Sequence, residues 1–63
     1  MSNVIGDDRL GTDVDAFYEL LMAAHDGFSE TESHALNMRL VLMFANEVGD
    51  IDRIEKIVLA AQP

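Results

Sequence analysis

In a chain of 63 residues, the segment from Leu36 to Val48 leaves the fewest options for folding. On a helix turning about 100° per residue, Leu36, Met38, Leu40, Val41, Leu42, Phe44, Ala45 and Val48 run most of the way round, and Met43 lies beside Leu36. Only Arg39 and Asn46, one heptad apart, make a clear polar strip in its centre. A helix apolar on nearly all sides must be covered on nearly all sides. Two sister helices of a three-helix unit cover about half to two-thirds of such a surface. The remainder is the kind of apolar patch that monomers avoid. Covering four more large side chains there supplies about 6–12 kcal/mol gross. Ordering and association costs offset much of that.

The punctuation around this segment predicts an all-α, compact three-helix unit. Thr12 stands three residues before Asp15 as an approximate capping box, with Asp13 as a second cap candidate, so a first helix is expected over about 14–26. Gly27 followed by Phe28 is expected to close it as a Schellman turn. Ser29 and Glu32 form an S-x-x-E capping box, opening a second helix over about 30–48 that stops at Gly49. Asp50 is the expected cap of a third helix, about 51–61, with Pro63 beyond it. Connections this short, each with a Gly stop, predict neighbours packed roughly antiparallel. Residues 1–12, broken by Gly6 and Gly11, are expected to form an irregular arm, and 13–63 a single helical domain.

Composition narrows the function classes. Four basic against twelve acidic residues give a net charge of −8, which disfavours DNA, RNA and anionic membranes as partners. The absence of cysteine excludes disulfides, a thiolate nucleophile and a Cys-type zinc site, and suits the cytoplasm. The uncharged run Leu40 to Asn46 is far too short to span a bilayer. There are 23 large apolar residues beyond Met1, enough for a core but with no staple to hold it, so stability must come from helix packing or from a partner.

A few polar residues stand out. His25 lies beside Leu21 and Tyr18 on the first helix, and Asn37 falls among Leu40, Val41 and Phe44. All three of His25, Asn37 and Tyr18 are expected to be buried polar residues, with Asn37 fixing register or capping a loop. Met38, Arg39, Leu42, Ala45 and Asn46, together with Leu59 outside the stripe of the third helix, are the expected interface. Arg favours interfaces because its planar fork grips carboxylates. His34 follows Glu30 by four residues, so a metal site with His25 is the alternative. No nucleophile–base–acid set can be assembled, and no catalytic residue, cofactor or bound metal is expected; Ser29 is better explained as a cap.

The stretch Asp15 to Asp50 resembles a small bacterial family, the domain of unknown function 2783. The resemblance is carried by Asp15-Ala16-Phe17-Tyr18, by Ala24-His25 with Gly27 and Ser29, and by Glu32-Ser33. Its most specific block is Ala35-Leu36-Asn37, Arg39-Leu40-Val41-Leu42, Ala45-Asn46 and Gly49-Asp50. The resemblance implies a short helical bacterial protein and brings no catalytic residue. It also implies a setting beside flavin-dependent aromatic oxygenases, which suits an accessory subunit.

Three functions follow as expectations. The first is a non-enzymatic helical interaction module, a homo-oligomer or a small subunit of a larger enzyme. The second is a small metal or ligand binder using His25, His34 and Glu30. The third is an acidic antagonist of a DNA-binding protein, although the acids are spread over both halves, −5 in residues 1–28 and −3 after.

Overall fold

A computed structural model describes residues 8–63. Within them lie three α-helices and no strand: α1 (Val14–Ala24), α2 (Glu30–Val48) and α3 (Ile51–Ala61), with a single 3-10 turn over Gly11–Asp13 ahead of α1. The expected three-helix unit and its short connections are present, and α2 and α3 have the expected limits. Of the expected irregular arm, residues 1–7 with Val4 and Ile5 lie outside the described residues. Asp8 and Arg9 have no regular structure.

The ends of α2 show why the sequence placed it well. The Ser29 hydroxyl accepts the Glu32 N–H at 3.2 Å, and the Glu32 carboxylate accepts the Ser29 N–H at 3.0 Å. This reciprocal box satisfies two of the donors that a helix start leaves open. Gly49 stops the helix at φ +70°, a left-handed conformation that costs a side chain-bearing residue. Asp50 then accepts the N–H groups of Asp52 and Arg53 at 3.0 and 3.4 Å and starts α3.

The ends of α1 differ from expectation. Asp13 has helical rather than extended backbone angles, and its side chain makes no capping bond, so neither the Thr12–Asp15 box nor an Asp13 cap forms. The cause is the 3-10 turn, which runs straight into α1; its own start is held by Asp8, whose carboxylate accepts the Gly11 N–H at 3.0 Å. At the other end α1 stops at Ala24, two residues early. The N–H groups of His25 and Asp26 reach back three residues, to Met22 and Ala23, and tighten the last turn. Gly27 is left-handed as expected, but the Phe28 N–H bonds to the His25 carbonyl at 3.0 Å. A four-residue turn therefore replaces the Schellman closure.

The apolar contacts meet at α2. Phe17, Leu20, Leu21 and Ala24 of α1 face Leu40 and Phe44. Val41, Phe44, Ala45 and Val48 face Ile54, Ile57 and Val58 of α3 across an open apolar cleft of about 220 Å³. Phe44 belongs to both groups and meets Phe17 edge to face, with ring centres 6.3 Å apart. No described residue is buried.

Candidate interaction surface

Among the described residues a polar bridge links α1 to α2. His25 is half-buried at the end of α1, and its Nδ1 lies 2.7 Å from the Leu21 carbonyl. A carbonyl oxygen only accepts, so Nδ1 carries the proton in the neutral ring. Nε2 lies 2.8 Å from Asn37 Oδ1 on α2. With the proton on Nδ1, Nε2 can only accept, so the pair is completed when the Asn37 amide is turned over, exchanging Oδ1 for its NH₂. The two polar residues that interrupt the apolar arcs of their helices thus satisfy each other. Each was visible in the sequence, but their pairing was not. The signal lay in their being polar residues set among the apolar ones of their helices.

The same geometry counts against the metal alternative. Both ring nitrogens of His25 are engaged by Leu21 and Asn37. His34 and Glu30 stand 3.8 Å apart on the first turns of α2, both largely in solvent. Among the described residues no group of three or more ligating side chains is placed to hold a metal ion.

The expected buried polar residues are not buried within the single chain. Tyr18 is 62% exposed, and Asn37 is exposed apart from its bond to His25. The reason is geometric: three helices leave no fourth wall over these positions. The expected interface residues lie open. Met38 is 63% exposed and Leu42 is 67% exposed. Arg39, Asn46 and Leu59 are exposed too, and Ala45 is partly covered where α3 approaches. Arg39 sits over a shallow recess with Phe28, Glu32, Ala35 and Leu36 rather than in an ion pair with a described carboxylate.

Electrostatics concentrate at the ends of α2. The Glu32 carboxyl is held below the usual carboxylate range, first by the Ser29 backbone N–H and then by the Ser29 side chain. Between Glu32 and Glu47 the helix carries Arg39 as its single formal charge. The middle of α2 is therefore an open, nearly uncharged apolar surface. No described helix is long and apolar enough to cross a membrane.

No curated protein and no solved structure matches the chain. A family model described as a protein of unknown function, DUF2783, matches residues 1–63. With the match running over its whole length, the chain belongs to the DUF2783 family.

Proposed function

We propose that the protein is a small acidic helical interaction module without catalytic activity of its own, working as a homo-oligomer or as an accessory subunit of a larger enzyme. The observation that carries this reading is that no described residue is buried, while Leu20, Met38, Leu42, Met43, Ile51 and Leu59 stand among the exposed large side chains. A folded domain of about this size normally hides roughly 60% of its unfolded surface. The shortfall here falls on large apolar side chains, and a partner is the economical cover for them. A flavin-dependent oxygenase as the larger enzyme, and a bacterial cytoplasmic setting, belong to the same reading and rest on the family resemblance and on the cysteine-free composition.

Stability measured against concentration tests the module. A chain that needs a partner unfolds more readily on dilution, because binding and folding are linked. The expected result is a thermal midpoint that falls with dilution, or a chain that gains helix and stability only with its partner subunit. A cooperatively folded monomer with a concentration-independent midpoint, binding no apolar dye, would remove the need for any partner.

A further inference from the structure

The outer face of α2 carries a pattern that fits a particular occupant. Thr31, Ala35, Met38, Leu42, Ala45 and Gly49 follow one another at steps of 4, 3, 4, 3 and 4 residues. Such steps keep all six along one seam, the spacing by which paired helices pack. All are exposed except Ala45, which is partly covered. Along the seam the sizes run small, small, large, large, small, small, the same order from either end. Turned end for end about position 40, the seam falls on itself. Met38 then meets Leu42, Ala35 meets Ala45, and Thr31 meets Gly49. Such reciprocity, in which one residue contacts a second and the second contacts the first, defines a two-fold interface.

We propose, on the interaction reading above, that a second copy of this chain occupies the face, packed antiparallel through α2 about a two-fold axis at position 40. The small residues at both ends let the helix axes approach to about 8 Å, while Met38 and Leu42 interlock at the centre. Area agrees with this occupant. The chain exposes 5687 Å², and a compact monomer of its 7.0 kDa mass exposes about 4000 Å². Counting only residues 8–63, the surplus is about 900 Å² per chain. Doubled, it comes to about 1,800 Å², the size of a standard stable interface. Charge is compatible too. Two chains of −8 repel overall, but no acidic residue lies on the seam, and Arg39 and Asn46 only border it. Added salt therefore tightens the pair, whereas it would weaken the grip of a basic partner.

Cysteine cross-linking tests the arrangement directly, since the natural chain has none. Ala35→Cys and Ala45→Cys chains, mixed and oxidised, are expected to cross-link to each other. Neither is expected to cross-link to itself, because like positions stand about 15 Å apart along the pair, beyond the roughly 7 Å that a disulfide tolerates between Cα atoms. Light scattering is expected to give twice the chain mass. Leu42→Asp should raise the dissociation constant about 100-fold or more by placing charge at the centre. Met43→Asp, off the seam, should change it only a few-fold. Peroxide should oxidise Met43 well before Met38. Cross-linking of either cysteine variant with itself, or equal effects of the two aspartates, would overturn the arrangement. A chain that is monomeric alone, yet shields Met38 from peroxide when bound to a different protein, would sink the self-pair and leave the interaction module standing. A folded monomer with Met38 open under all conditions would sink both.

Discussion

The two faces of α2 carry similar side chains and have opposite fates. Toward α1, Leu36 and Leu40 are partly covered, Phe44 meets Phe17, and Asn37 is tied to His25. Away from α1, Met38 and Leu42 are as apolar and stay 63% and 67% exposed. Hydrophobicity alone therefore does not tell which face is the inside. The inner face is marked by a polar pair that must meet and an aromatic pair that can. The outer face is marked by the reciprocal order of its small and large residues.

That contrast can be broken or sharpened by experiment. Phe44→Ala removes the side chain shared by both helix junctions, and because Phe44 is 51% exposed a loss of about 2 kcal/mol, below that of a fully buried Phe, is expected in urea unfolding of the assembled protein. A loss under about 1 kcal/mol would show that Phe44 is as idle as the outer face appears in a single chain. Leu42→Ala should cost about 2 kcal/mol where chains are assembled and almost nothing on extreme dilution. An equal cost at both concentrations would mean that Leu42 is covered by its own chain.

Smaller effects test the clasp and the cap. A double-mutant cycle of His25→Ala and Asn37→Ala should return a coupling of about 1 kcal/mol, and strict additivity would show that the two do not hold α1 to α2. Ser29→Ala should cost about 1 kcal/mol through loss of the α2 cap. The pH dependence has a definite sign. Because the folded Glu32 carboxyl lies below its ordinary value of 4.5, its contribution is complete above that value. It is lost as pH falls through the lower folded value. In Glu32→Gln, which removes the titrating carboxyl, the acid limb of a stability–pH curve should be shallower. An unchanged limb would show that the Glu32 carboxylate adds nothing to the α2 cap.

Much of the fold was legible because its signals are local. The Ser29–Glu32 box, the left-handed stop at Gly49 and the Asp50 cap each act over three or four residues, and each appears where the sequence put it. The start of α1 was misread for a physical reason. A cap needs extended backbone, and the 3-10 turn at Gly11–Asp13 leaves Asp13 helical, a choice made with Asp8 rather than with the residues that look like caps. Of the candidate surface, the sequence could offer only residue types. Met38, Arg39, Leu42, Ala45, Asn46 and Leu59 were expected on it; Ala45 is partly covered and the others are exposed. Thr31 and Ala35, which the proposed seam adds, are small residues that leave little mark on a hydropathy pattern.

What the sequence determined by itself was the number, limits and polarity of α2 and α3, and a helix too apolar for its own chain to hide. Backbone capping and side-chain periodicity act within a few residues, so they need no knowledge of the rest of the molecule. Only the tertiary structure decided which side of that helix α1 and α3 take, that His25 and Asn37 satisfy each other, and that Met38 and Leu42 are left open. Those outcomes depend on where residues 12 or more positions apart meet, and no local preference encodes that distance.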